Sequence, residues 1–335
     1  MAQDMSQESQ DFTKGGRRDP APPLILSASR ATDIPAFYLP WFLKRLDMGH
    51  LTRINPFSGK RHSVDLTHAR AVVYWSKNPG PLLEHLDEAE RRLPFYVQFT
   101  LNDYEREGLE PGLPPLQKRI DTFRRLADRL GRERLVWRFD PLILTGRLDA
   151  AALLEKVRRL SEEIGPYTEK LVFSFADIAP YRRVASNLRK AGLAWRDFSD
   201  AEKDELARGI AACCRKESLV AATCCEKDDF SRYGIVANSC IDGNLLLRLR
   251  PDDALLRKFL LGPSSGRQLP LFGGEPPRLP KDRGQRPHCR CAPSRDVGTY
   301  GTCPHLCLYC YANGSPRQAL ERARKAAGDM DALLE

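Results

Sequence analysis

The chain has 335 residues, 42% of them hydrophobic and 29% charged, which is enough apolar material for one large α/β domain or two ordinary ones and excludes global disorder. No run approaches the roughly 18 consecutive apolar residues of a membrane-spanning helix, so no membrane partner is expected. A formal charge of +9 is compatible with a nucleic-acid partner, although part of it lies in stretches such as RRLADRLGRERL, where charge commonly just solvates an outer face.

Residues 1–22 are polar and proline-ended, with no apolar leader, and read as a disordered tail on a cytoplasmic protein. Residues 23–250 repeat one pattern: a short apolar run, a polar cluster, then a helical stretch. The runs are PLILSAS (23–29), AVVYWSKN (71–78), FYVQFTLN (95–102), RLVWRFDP (134–141), KLVFSFAD (170–177) and SLVAATCCE (218–226). Each has the look of a buried parallel strand emerging from a core. Between them lie amphipathic segments such as PLQKRIDTFRRLADRLG and DAAALLEKVRRLSEEIG, several starting after Asp or Pro and ending at Gly. The alternation predicts an α/β fold, a parallel β/α barrel of the TIM type, complete or partial, with an open doubly wound sheet as the alternative. Neither GxGxxG nor GxxxxGK[ST] is present to support a nucleotide loop.

In a barrel the polar groups at the strand ends share one rim, where active sites are built. That rim collects Ser27, Ser29, Arg30 and Asp33; Ser76, Lys77 and Asn78; Gln98, Thr100 and Asn102; Arg138 and Asp140; Ser174 and Asp177; Thr223 and Glu226. Polar residues begin loops in most proteins, but Gln98 and Arg138 interrupt apolar runs, so they are expected to face a polar cavity. Arg30, Asp33, Lys77, Arg138 and Asp140 are the candidate catalytic residues, the arginines suited to a carboxylate or phosphate and the aspartates to orienting them or holding a ribose. Ser29, Asn78, Gln98 and Tyr309 are candidate cofactor contacts.

Residues 251–287 are rich in Pro, Gly and Arg and read as a linker, and residues 288–335 as a cysteine-rich segment followed by a helix. Of ten cysteines, Cys289, Cys291, Cys303, Cys307 and Cys310 fall close together there. Crowded thiols in a reducing compartment favour a metal or a cluster over disulfides. Cys303, Cys307 and Cys310 form C-x3-C-x2-C. His305, Cys289 or Cys291 would complete a zinc site with them. Alternatively the three thiolates suit three corners of a [4Fe–4S] cube and leave one iron open. Cys213 and Cys214 on a helix, and Cys225 beside Cys224, are expected to be bystanders.

C-x3-C-x2-C with Tyr309 before its last cysteine is similar to the signature of radical S-adenosylmethionine enzymes. That resemblance implies S-adenosylmethionine chelated to the open iron, a 5′-deoxyadenosyl radical, and an electron donor such as flavodoxin or ferredoxin. In those enzymes the motif follows the first strand; here it follows them all. GGE at 273–275, which in those enzymes contacts the cofactor, precedes the cysteines here and is read as coincidental. SASRATDIPAFY, WSKNP, QFTLNDY, WRFDPLILT, SCID and DVGTYGTCPHLCLYCYAN together resemble a bacterial family, domain of unknown function 1848, from about Leu24 to Asn313. That resemblance implies a cluster on Cys303, Cys307 and Cys310, with Cys224, Cys240, Cys289 and Cys291 also at family cysteine positions. Those four would suit a second [4Fe–4S] cluster or a zinc ion.

The resulting expectation is a radical S-adenosylmethionine-type enzyme acting on an unknown substrate. Its alternative is a zinc- or cluster-stapled binding protein, nucleic-acid associated, without radical chemistry. A lyase or isomerase using rim acid–base groups has little support, since His50, His62, His68 and His85 fall in helix or loop contexts without ligand spacing.

Overall fold

The apolar runs carry β-branched and aromatic residues on both sides, a composition suited to strands buried on two faces. The computed structural model describes residues 22–54, 59–262, 279–325 and 332–333. In chain order its strands are β1 (Ile25–Ala28), β2 (His50–Ile54), β3 (Arg61–Asp65), β4 (Ala71–Ser76), β5 (Phe95–Thr100), β6 (Leu135–Leu142), β7 (Leu144–Thr145), β8 (Lys170–Phe175), β9 (Trp195–Arg196), β10 (Val220–Thr223), β11 (Val236–Ala237) and β12 (Arg295–Asp296). Eight of them form one sheet in the order β11-β10-β8-β6-β5-β4-β1-β12, with every ladder parallel.

The six expected runs correspond to β1, β4, β5, β6, β8 and β10. The sequence does not announce β11 and β12, each two residues long and without an apolar run. Nor does it announce the antiparallel hairpin β2–β3, which places His50 and His62 on strands, not in the helix or loop expected of them.

The order runs monotonically from β1 to β11, with no reversal of the kind a doubly wound sheet carries. The two faces differ in what covers them. One face, with Leu26, Tyr74, Val97, Trp137 and Phe173, packs on the connecting helices, among them Leu39–Met48, Leu116–Leu130, Ala150–Ile164 and Asp200–Lys216. The other, with Ile25, Val73, Tyr96, Val136, Val172 and Ala222, packs on Leu245, Leu246, Leu247, Leu256 and Leu260. Two helices, Gly243–Leu249 and Ala254–Leu261, supply those leucines. The second helix lies inside the stretch read as linker, which therefore carries part of the core. Residues 1–21 of the stretch read as a tail (1–22), and the GGE triplet, lie outside the described residues.

Among the described residues the ladders do not close into a barrel: β11 and β12 stay as edges. Segments flanking the two edges nevertheless meet, since Ala292 N donates to Ile241 O at 3.0 Å and Ser239 Oγ to Arg290 O at 2.9 Å. Among the described residues no helix is long and apolar enough to cross a membrane.

The last strand returns to the first. Pairing of β12 with β1 sets Ser27 opposite Asp296. The Asp296 carboxylate then accepts from Ser27 Oγ (2.9 Å), Ser29 Oγ (2.6 Å), Arg30 N (2.8 Å) and Gly298 N (3.0 Å). Gly298 allows the close approach: a Cβ there would sit 2.6 Å from Ser29 Cβ. Gly298→Ala should therefore cost about 1–3 kcal/mol by overpacking, read as a lower urea midpoint. An unchanged midpoint would show that β12 is not tightly docked.

Candidate metal centre at the strand ends

Past β12 the chain turns across the C-terminal ends of the first strands. Its cysteine loop is pinned to the segment after β5 by backbone bonds, Gly112 N to His305 O at 3.0 Å and Leu308 N to Leu109 O at 2.9 Å. A Cβ on Gly112 would lie 2.6 Å from the carbonyl oxygens of Pro304 and His305, so the loop rests directly on that glycine. Tyr38 Oη donates to Thr302 O, and Asn313 Nδ2 to Cys303 O at 2.8 Å.

These contacts bring Cys303, Cys307 and Cys310 together at the rim. Burial pushes the Cys303 thiol up to about 12, with Asp33 adding to the shift and the His305 peptide N–H opposing it. Burial likewise raises Cys307 well above its ordinary range, against the pull of the Lys77 ammonium. Cys310 is raised by burial while the N–H groups of Ala312 and Asn313 pull it back. Peptide donors and a lysine thus face sulfurs that burial alone would keep protonated, a setting that favours thiolate once a cation shares the charge.

His305 does not join the thiols. Its Nε2 meets Asp33 Oδ2 at 2.7 Å and its Nδ1 faces Gly112 O at 3.5 Å, so both ring nitrogens are directed elsewhere. Asp33 also accepts from Ala36 N (3.0 Å) and Lys77 N (2.8 Å), which makes it a buried hub joining two strand ends to the cysteine loop. Lys77 Nζ reaches Glu110 Oε1 at 2.8 Å and Tyr309 Oη at 2.9 Å. Tyr309 Oη in turn donates to Glu110, and Asn102 Nδ2 approaches that hydroxyl at 3.1 Å. Burial raises the Glu110 carboxyl, but Lys77 and Arg119 more than offset it and hold it below its usual range. Among the described residues its Oε2 makes no hydrogen bond, and Arg119 Nη1 lies 3.7 Å from it.

Gln98 and Arg138 are buried and partner each other at 3.2 Å. Gln98 Nε2 also donates to Cys240 O (2.8 Å), Arg138 Nη1 to Cys240 Sγ (3.0 Å), and Arg138 Nη2 to Asp140. Ser174 occupies the other oxygen of Asp140. Arg30 and Arg138 both stack on Trp75, at 5.2 and 5.1 Å from its ring centroid. Around Cys240 gather the remaining candidate thiols. Cys224 Sγ lies 3.4 Å away; Cys224 and Cys291 both hold the Cys240 thiol below its ordinary range, and Cys225 and Cys291 do the same for Cys289. Cys225 is therefore no bystander, whereas Cys213 and Cys214 stay on the helix Asp200–Lys216. Among the described residues, no three His, Cys, Asp or Glu side chains meet at the spacing of a single ion.

The other rim residues are dispersed. The Ser29 hydroxyl is engaged by Asp296 and Ala31 N. Asn78 closes a turn through Ser76 Oγ (3.0 Å), and Asp177 is exposed. Glu226 accepts from Phe175 N at 2.9 Å. Sequence reasoning missed Glu110, Asp296 and Trp75 as parts of the site. Glu110 sits in the unpatterned loop NDYEREGLEP and Asp296 in a strand of two residues, so neither carried a periodic signal.

Lys77 and Glu110 form a buried ion pair whose disruption leaves one charge uncompensated. Lys77→Met should cost about 3 kcal/mol, with Glu110→Gln in the same chain restoring much of it. Denaturant unfolding of the two single variants and the double variant reads this directly. Additive losses would mean that the pair is not coupled.

A search of curated proteins finds no match to the chain. A family model described as Domain of unknown function (DUF1848) matches residues 25–312, from the start of β1 through the last cysteine of the loop. That span takes in the whole parallel sheet and both groups of thiols, and the chain belongs to this family.

Proposed function

We propose that the chain is an iron–sulfur enzyme of the radical S-adenosylmethionine-like kind, with Cys303, Cys307 and Cys310 as ligands of a [4Fe–4S] cluster. The observation that carries this reading is three thiols on one loop, Cys307 buried and Cys303 and Cys310 half-buried, with that loop seated by backbone bonds on the segment after β5. His305, the nearest alternative fourth ligand, is held by Asp33 instead, which leaves three protein donors on the loop. When bound, a cluster of this kind with S-adenosylmethionine on its open iron supplies one-electron chemistry and a carbon radical, fed by a flavodoxin- or ferredoxin-type donor.

The chain's own residues would then bind and orient. Lys77, held by Glu110 and Tyr309, places a fixed positive charge beside Cys307. Among the described residues, Arg30 Nη2 and Trp75 Nε1 are buried donors with no hydrogen-bond partner. An unpaired buried donor is costly, so these two are suited to a carboxylate or phosphate of substrate or cofactor. Asp140, engaged by Arg138 and Ser174, holds Arg138 in place and is suited to positioning, not to proton transfer. These groups lie at the C-terminal ends of the parallel strands, where ligands bind in parallel α/β folds.

Anaerobic purification with iron and sulfide analysis, followed by reduction with S-adenosylmethionine, tests the reading. The expected result is that Cys307→Ala removes about four irons per chain, and that wild-type protein forms 5′-deoxyadenosine while the variant does not. Zinc without iron after reconstitution would make the loop a structural staple. Iron without 5′-deoxyadenosine would retain the cluster and end the radical reading.

A further inference from the structure

We propose that Cys224, Cys240, Cys289 and Cys291 form a second, thiolate-only metal centre that ties the two open edges of the sheet together, with Cys225 at its margin. Its ligand is a thiophilic metal, either a zinc ion or an iron–sulfur cluster.

The first support is convergence. Cys224 and Cys225 follow β10, Cys240 follows β11, and Cys289 and Cys291 precede β12. Three separate segments thus deliver sulfurs to one place: Cys224 and Cys240 lie 3.4 Å apart, and Cys291 Sγ receives the peptide N–H of Ile241, the residue after Cys240. A free cysteine packs like any small apolar residue, and nothing in apolar packing directs thiols from three segments at one another.

The second support is the set of donors around them. Cys240 Sγ receives Arg138 Nη1 at 3.0 Å and Asn238 Nδ2 at 3.1 Å, and Cys291 Sγ receives Ile241 N at 3.3 Å. A guanidinium buried against sulfur is better matched to thiolate than to thiol. Asn238 is 4% exposed and its Oδ1 has no partner, so a polar side chain at this site is left incompletely satisfied. Such outer contacts to metal-bound sulfur orient the ligands.

The third is spacing. Zinc–sulfur bonds of about 2.3 Å place tetrahedral thiolates about 3.8 Å apart, and Cys224 and Cys240 stand 3.4 Å apart. The sulfurs form a chain, not a finished tetrahedron, and no three side chains already surround one ion among the described residues. Binding would therefore gather them, as metals do in sites completed on loading. The location gives the centre a role. Cys240 adjoins Ile241, and Cys291 adjoins Ala292, the two residues whose backbone bond spans the gap between the β11 and β12 edges.

The test uses the full chain with Cys303, Cys307 and Cys310 all replaced by Ala, which removes the rim loop's ligands and leaves these four. The expected result is a folded protein by circular dichroism that keeps about one zinc or about four irons with sulfide. Chelation of that metal should lower its melting temperature. Cys289→Ser with Cys291→Ser in the otherwise wild-type chain should lose the same amount, while Cys213→Ala with Cys214→Ala should lose none. The second pair of variants keeps the test decisive if the triple variant fails to fold. A folded triple variant without metal, or a Cys224–Cys240 disulfide in protein purified under reducing conditions, would overturn the proposal. The reading of the rim loop fails separately, if replacing its three cysteines removes no iron.

Discussion

Everything at the rim depends on one carboxylate. Asp296 accepts four hydrogen bonds from Ser27, Ser29, Arg30 and Gly298, and through them holds the end of the chain against its first strand. Without that anchor the two-residue β12 has little to keep it in the sheet, since short ladders gain little on their own. With it, the residues after 296 are delivered to the same end of the sheet as Asp33, Lys77 and Asn102, and the cysteine loop is seated on Gly112. The Ser29 side chain, a natural candidate for holding a cofactor, is used to build the anchor instead.

The polar interior above the leucines is organised by charge more than by hydrogen bonding between neutral groups. Lys77 with Glu110, and Arg138 with Asp140, are ion pairs. Such pairs seldom add much net stability after desolvation, but they place cations beside sulfur with little freedom to move. The two sulfur groups differ in that setting. At the rim loop peptide N–H groups and one lysine oppose the effect of burial, and at the inner group the Arg138 and Asn238 side chains donate to Cys240 and the Ile241 peptide N–H to Cys291.

Much of the scaffold was legible because its strands are long apolar runs with a regular interval, and six of the eight parallel strands follow that signal. Gln98 and Arg138 were legible for the opposite reason: each breaks such a run, and each is buried in a polar contact. What sequence could not give was the closing geometry. β11 and β12 are too short to show a period, and two of the leucines covering the inner face, Leu256 and Leu260, lie in a stretch whose later prolines and glycines read as linker. Long-range pairs such as His305 with Asp33, and Glu110 with Tyr309, depend on which loops come to share a rim, and local pattern carries no trace of that. The thiols of Cys224 and Cys225 illustrate the same limit, since adjacent residues with equal local cues both enter the inner group.

The return of β12 to β1 has a consequence for biosynthesis. Ser27 and Asp296, joined in the finished sheet, are 269 residues apart, which makes this contact among the last to form as the chain leaves the ribosome. β1 must wait beside β4 with one edge unpaired until β12 is made. On the proposed reading, a metal at the rim loop would be loaded only after that edge is covered, as a late, post-synthetic step. A chain cut short before β12 would lack both the cysteine loop and the strand that seats it.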